Sequence, residues 1–412
     1  MPDIDNKDSS QSHAWSPLTR SLGFDALFTQ IADEAPRRDV ERDHPRDRIE
    51  SLKNHGFGRL RLPAHQGGPG LGVADLFHIV QDLAYADPNV AHIFRNHFFA
   101  MEEALRAPTE PLYARLLQEA SQGRTFGLGF GVAQIKRAGE IGEINGRLDW
   151  DAAQGAYFGT GAKGYSTGNL YADWLLGPAH ESREGRLVRY LASTSAPGVD
   201  LTDDWSGFGQ KLTGSGTTRF DQARIEADDV YPNPAAPDYN GTWIYTFHQI
   251  YLTTVIAGIA RRIRADAIGL LKQRSRNFYH GQAEEPRHEP VLQAHLGRIG
   301  AHASAIEALV QRAAQALETA FAAYGTPDAP GLTLDATLKA VEAKIVADTL
   351  APPLASGLLD LGSGSVVTVD HAFDRHWRNI KVIAAHNPRL YKERFLGDHL
   401  LNGALPPTGA FF

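Results

Sequence analysis

The sequence predicts an α+β protein in which a helical segment, a strand-rich segment and a second helical segment follow one another. Two observations carry this. Apolar residues recur at helical spacing up to about residue 122 and again from about residue 236. Between them, glycines and turn dipeptides separate short strand-like runs. A chain of 412 residues suits two or three domains, and 42% apolar with 22% charged residues is an ordinary globular balance. We expect domains at 1–122, 123–235 and 236–412.

In the first segment, the charges crowded between Ile31 and Glu50 (Asp33, Glu34, Arg37, Arg38, Asp39) read as a solvated face, cut into short pieces by Pro36 and Pro45. The Gly/Pro-rich loop Pro63 to Gly72 is a strong breaker, and Asp75 is placed to cap a helix carrying Leu76, Ile79, Val80 and Leu83. Asp87-Pro88 opens the next, which should carry Val90, Ile93, Phe94 and His97. In the middle segment, Asn145-Gly146 and Pro197-Gly198 mark turns, and Leu175-Leu176, Leu187 to Leu191 and Thr217 to Phe220 read as strands. A small antiparallel barrel or sandwich is expected. After Pro234 to Pro237, the stretches Tyr245–Ser275, Val291–Tyr324 and Leu334–Leu350 read as long helices, the last two rich in alanine.

Several functions are excluded early. Forty-one Lys and Arg against 48 Asp and Glu give a net charge of -7, which is no footprint for nucleic acid. No cysteine is present, so disulfides, thiolate metal sites, iron–sulfur clusters and a cysteine nucleophile are ruled out. Residues Met1 to Ser16 lack the basic and apolar regions of a secretory signal, and the apolar run Ile250–Ala260 is too short to span a bilayer. A cytoplasmic protein with no membrane partner is expected.

Gly159-Thr160-Gly161-Ala162-Lys163-Gly164 matches the dinucleotide fingerprint, but strand-prone Tyr171 to Leu176 follows it where a helix is required. A turn explains it better. Gly127, Gly129 and Gly131, like Gly362 and Gly364, suggest close backbone approach to a ligand or another chain segment. His92 and His97 are spaced by five, as are His371 and His376, unlike the pair of a helical zinc site, and no metal is expected. Asp203 to Gln210, with Trp205 among glycines and hydroxyls, reads as an aromatic-walled loop. Asn387-Pro388 ends a helix near His386, where a cleft residue would sit.

Taken in order, several segments resemble the acyl-CoA dehydrogenase superfamily, and more closely its flavin-dependent monooxygenase branch, the dibenzothiophene monooxygenases and sulfur-acquisition oxidoreductases. They are Leu62-Pro63 with the loop to Gly72, Ala86-Asp87-Pro88-Asn89 to Asn96-His97-Phe98, Gly164 to Gly168 with Tyr171 to Trp174, Asp203 to Gln210, Ser215-Gly216-Thr217, Asp374 to Asn379, and Leu401-Asn402-Gly403. The resemblance covers nearly the whole chain past its first few tens of residues. It implies an N-terminal helical domain, a middle β-barrel and a C-terminal four-helix bundle, usually in a homotetramer.

The two chemistries of that superfamily separate on one group. A dehydrogenase needs a carboxylate to remove the α-proton of a thioester. The resemblance places it either after the arginine-rich segment or on the first bundle helix. No glutamate occurs from Leu361 to Lys392, and Ile244 to Ala260 holds neither Asp nor Glu. His386 stands at the first location, which favours oxygenation.

Carried over residue by residue, the resemblance makes His92 and His386 the catalytic pair flanking the C4a position of the flavin. Tyr165, Ser166 and Thr167 match a strand against the isoalloxazine, Trp205 a flavin-pocket aromatic, Ser215 a phosphate-side hydroxyl, and Arg274 an arginine reaching a neighbouring subunit's flavin. Asn96 and Gly129 stand where dibenzothiophene monooxygenases have tyrosine and asparagine near flavin and substrate, and Ile383 replaces a second histidine. The implied enzyme takes reduced FMN from a separate NAD(P)H-dependent flavin reductase and oxygenates a small organosulfur or heterocyclic substrate with O2. The alternatives are an FAD-dependent acyl-CoA dehydrogenase and a flavin-binding protein without catalysis.

Overall fold

The computed structural model describes residues 13, 15–131, 144–233, 241–407 and 409–412; the start of the chain before residue 13 and the Pro234–Pro237 linker lie outside them. Seven helices come first: α1 (Pro17–Ser21), α2 (Asp25–Glu41), α3 (Arg46–Asn54), α4 (Val73–Ala86), α5 (Pro88–Ile93), α6 (Arg95–Arg106) and α7 (Pro111–Ser121). The strands are β1 (Phe126–Leu128), β2 (Arg147–Asp151), β3 (Ala156–Lys163), β4 (Trp174–Glu181), β5 (Leu187–Ser193), β6 (Val199–Thr202), β7 (Thr217–Glu226) and β8 (Val230–Pro232). Three long helices, α8 (Gly241–Gln273), α9 (Pro290–Ala322) and α10 (Ala329–Gly362), then lead to α11 (Asp374–Ala385) and α12 (Arg389–Asn402). Among the described residues, no helix is long and apolar enough to cross a membrane.

One apolar core joins the first helices to the last: Phe77 of α4 packs beside Phe247 and Tyr251 of α8, with ring centroids 5.2 and 6.1 Å apart. The alanines of α9 and α10 let these backbones lie close, and most of the core alanines there are fully buried. The prolines at 352 and 353 lie inside α10, so that helix runs past Leu350, where the sequence pattern stops.

Local expectations fail where a distant group intervenes. Helix α2 continues through Pro36, held by its buried face of Phe28, Ile31, Ala32 and Ala35. Its charges are not all solvated: Arg38 and Asp39 are buried, Arg38 paired with Glu34 and Asp47 and Asp39 with Arg378. Asp75 does not cap α4. Gly72 is the cap residue, and the Glu318 carboxylate of α9 accepts from the Ala74 amide instead, at 3.2 Å. Asp87 does cap α5, accepting from Asn89 N at 2.8 Å, but that helix ends at Ile93, and His97 belongs to α6.

The strands form one sheet in the order β6-β7-β3-β2-β4-β5-β8, with β1 also on β4. It is mixed rather than antiparallel. β1 and β2 share one edge of β4, both parallel to it, with Phe126 opposite Trp174 and Arg147 opposite His180. Phe220 of β7 and Tyr190 of β5, on strands that do not pair, have rings 6.2 Å apart, so the sheet curls around its own core. The glycine-rich segment 159–164 is largely strand β3, bulged between Gly159 and Gly161, rather than a turn.

Candidate active site

The break between α5 and α6 sets the site. Asp87 and Pro88 start α5, Phe94 closes it, and the next residues, Arg95 and Asn96, open α6 directly. His92 on the last turn of α5 is buried, and its Nδ1 lies 2.9 Å from Gln210 Oε1. Gln210, with φ +51, comes from the loop after β6; its amide donates to Asn379 Oδ1 on α11 at 2.6 Å. The loop lies flat on α11: Arg378 Nη1 donates to Phe208 O at 3.0 Å, and a Cβ on Gly209 would overlap the Arg378 carbonyl. The same helix ends at His386. From α8, the His248 ring stacks on Phe99 of α6, with centroids 4.1 Å apart.

Arg95 is the electrostatic centre of this group. It acts on His92, His248, His386 and Lys163 alike. Burial pushes His92 down to about 3, helped by Arg95 and opposed by the bond to Gln210. His248 lies well below its ordinary value for the same first reason. His386 is lowered to about 3 by the protein crowded round it, then by Arg95 and His92, although its ring is accessible to solvent. A side chain both accessible and hemmed in lines a recess. Three histidines are thus held neutral at physiological pH.

The same place gathers unsatisfied polar atoms. His92 Nε2, His248 Nε2, Arg95 Nε, Gln210 Nε2 and Asn379 Nδ2 are all buried without a partner. Native interiors satisfy nearly all such atoms, and these five gather in one place, where a ligand would meet them.

A row of polar contacts ties most of the expected residues to this recess. Asn96 Nδ2 donates to Thr167 O at 2.8 Å, and the Thr167 hydroxyl meets that of Ser215 at 2.8 Å. Ser215 meets Thr213 Oγ1 at 2.7 Å, and Thr213 donates to Gln210 O at 2.9 Å, which returns the row to His92. Ser166 is buried, donating from its hydroxyl to Lys163 O and from its amide to Gly216 O. Tyr165, Ser166 and Thr167 are not on a strand as expected; β3 ends at Lys163, and they form the turn after it. At Tyr165, φ is +53 and the ring stands 79% exposed, its centroid 6.0 Å from that of Trp205.

Two expected residues stand apart. Gly129 donates to Leu176 O at 2.8 Å inside the curled sheet, where a Cβ would overlap the Tyr190 hydroxyl. The glycines at 127, 129 and 131 thus admit other chain segments, with Asn169 Oδ1 accepting from Leu128 N at 3.1 Å beside them. Arg274, just past α8, donates to Leu361 O at 2.7 Å and lies over Phe278, away from the row. Arg95, Lys163, Gln210, His248 and Asn379 were not singled out from the sequence. Arg95 and His248 carry a signal in retrospect, Arg95 being the one residue with a fixed charge in Phe94 to Phe98 and His248 the one histidine in Ile244 to Ala260.

The fold and this site define a class. Family models described as the acyl-CoA dehydrogenase N-terminal and C-terminal domains match residues 25–124 and 250–388, and the chain belongs to the acyl-CoA dehydrogenase superfamily. Within it, relatives named as monooxygenases match most of the chain, while a putative acyl-CoA dehydrogenase of Bacillus subtilis matches 66% of it at 23% identity. The chain is 24% identical over 383 residues to a probable FMNH2-dependent monooxygenase of Pseudomonas putida, covering 92% of this chain and 94% of that one. It is 26% identical over 381 residues to a dibenzothiophene monooxygenase of Mycolicibacterium goodii, covering 87% and 88%. The structure of methanesulfinate monooxygenase from Pseudomonas fluorescens superposes with a TM-score of 0.82 at 25% identity, over 96% of this chain and all of the other.

Proposed function

We propose that the chain is the oxygenase of a two-component system: it takes reduced FMN from a separate NAD(P)H-dependent reductase and uses O2 to oxygenate a small organosulfur or heterocyclic substrate. The observation that carries this is the composition of the recess. Its ionisable groups include His92, His248, His386, Arg95 and Lys163, and among the described residues no carboxylate acts on any of them. A dehydrogenase has no base there. The names of the relatives, FMNH2-dependent and dibenzothiophene monooxygenases, point the same way.

The residues fit a flavin. The exposed Tyr165 ring and the half-buried Trp205 offer flat apolar surface beside the Thr167–Ser215 hydroxyls, and buried donors and acceptors nearby lack partners. Reduced FMN, when bound, supplies the electrons that activate O2. In this reading Tyr165, Ser166, Thr167 and Trp205 hold its ring and Ser215 its phosphate side, while Asn96, bonded to Thr167 O, shapes the adjoining space; Gly129, closed off by Leu176 and Tyr190, takes no part. Arg274 completes the site of a neighbouring chain, which makes a homotetramer the working unit. Neutral His92 and His386 hold or deliver a proton at the reacting oxygen, His92 from the buried side and His386 from the solvent-accessible side. The protein works in the cytoplasm, where its reductase is.

The test is anaerobic titration followed by O2. Reduced FMN is expected to bind more tightly than oxidised FMN, the purified protein to be largely colourless, and continued turnover on NAD(P)H to require the reductase. Protein that retains stoichiometric FAD through gel filtration and is reduced by an acyl-CoA would establish the dehydrogenase instead.

A further inference from the structure

Among the described residues five arginines are buried: Arg38, Arg61, Arg95, Arg262 and Arg375. Four face a carboxylate. Arg38 has Glu34 and Asp47, Arg61 has Glu102, Arg262 has Asp266 at 2.8 Å, and Arg375 has Asp266 at 3.9 Å. Arg95, only 7% exposed, has none. Its Nε is buried without an acceptor, and its terminal nitrogens form no hydrogen bond or ion pair with a described residue.

We propose that Arg95, assisted by Lys163, is the subsite for the anionic head of a small organic oxyacid substrate: a sulfinate, sulfonate or carboxylate. A guanidinium presents two parallel N–H donors that match two oxygens of such a head, and an ammonium adds a mobile point charge. Lys163, at the end of β3, is partly buried, crowded by protein and close enough to be repelled by Arg95. Two cations with no counter-charge are a costly arrangement that an incoming anion relieves. The helix start at Arg95, uncapped by any side chain, adds its positive end. The surrounding histidines are neutral and so neither offset nor compete for that charge. Because Arg95 acts on all three, an anion bound there has its organic end beside the groups assigned to the reacting oxygen. This substrate class rests on the monooxygenase reading, but the binding event does not.

The experiment is calorimetric titration of the full-length protein, with and without oxidised FMN, at constant ionic strength. The probes are sodium methanesulfinate, sodium methanesulfonate and, as a neutral molecule of similar size, dimethyl sulfone. The anions are expected to bind at least about tenfold more tightly than the sulfone, the scale of a charge-assisted hydrogen-bond pair. Arg95→Gln should remove that margin, Arg95→Lys should restore part of it, and Lys163→Gln should weaken anion binding several-fold. Reduced FMN, titrated anaerobically, should bind all three variants within about threefold of wild type, since neither Arg95 nor Lys163 is among the residues assigned to it. Equal binding of sulfone and anions, or anion binding that survives Arg95→Gln in folded protein, overturns the proposal. So does a variant that loses reduced FMN while keeping the anions, which would assign Arg95 to the flavin. Anion binding without O2 uptake would instead sink the monooxygenase reading and leave the subsite standing.

Discussion

His92 Nδ1 sits 2.9 Å from the side-chain oxygen of Gln210, so Nδ1 carries the hydrogen and Nε2, buried without a partner, turns a lone pair to the recess. Gln210 therefore sets the tautomer. Gln210→Glu would place a carboxylate there and raise His92 from about 3 towards its ordinary 6.5, as read from imidazole NMR signals. An unchanged titration would mean that Gln210 does not govern this ring.

His386→Ala and His92→Ala are expected to leave reduced-flavin binding nearly intact. Each should lower substrate oxygenation by roughly 10²-fold, the scale of a lost acid/base group, while hydrogen peroxide release rises. The ratio of product to peroxide is the measurement. A variant that melts earlier but keeps the wild-type ratio would show that His386 merely ends its helix.

His376 gives the contrasting result. It is buried on α11 and bonded to Asp266 at 2.8 Å, which also takes Arg262. His376→Ala should destabilise by about 1–3 kcal/mol, and Asp266→Ala, which strands two buried arginines, by about 3–5 kcal/mol. Turnover per folded His376→Ala molecule should be unchanged in stopped assays against active-site titration.

Acid should unfold the protein early. His92, at about 3, and His97 and His376, at about 4, are held neutral chiefly by burial. Below the ordinary 6.5 the unfolded chain binds protons that the native state refuses, so stability falls as pH drops from there to about 4. Each histidine contributes up to about 1.4 kcal/mol per pH unit in that window, and none above pH 7. Urea midpoints at pH 8, 6, 5 and 4.5 test it; a flat series would refute the neutral assignments.

Gly129→Ala should cost about 1–3 kcal/mol, because the new methyl overlaps the Tyr190 hydroxyl. That hydroxyl donates to Phe130 O at 2.9 Å, so Tyr190→Phe alone is also destabilising. Combined, the two changes should cost less than their sum, as the missing oxygen makes room for the methyl. Strict additivity in denaturant melts would locate the strain elsewhere.

Features set by neighbours in sequence were readable without the structure. Asp87-Pro88 announces the start of α5, Asn387-Pro388 the end of α11, and the missing carboxylate could be noticed by position alone. Features set across the fold were not. Asp75 lost its cap role to Glu318 of a distant helix, and Pro36 is carried by a face packed on other elements. The isolation of Arg95 shows only when every other buried arginine is seen with its acid. The parallel pairing of β1 and β2 with β4 likewise has no periodic signature.

The contact of Gly209 with α11 acts as a datum for the whole site. The loop it anchors orients the partner of one histidine, and the helix beneath it ends in the other, so both are measured from a single seam. A methyl at 209 would shim the two apart, whatever the chemistry of the residues beyond. The spacing of the two histidines is therefore set at the seam, and side chains elsewhere around them can change without moving it.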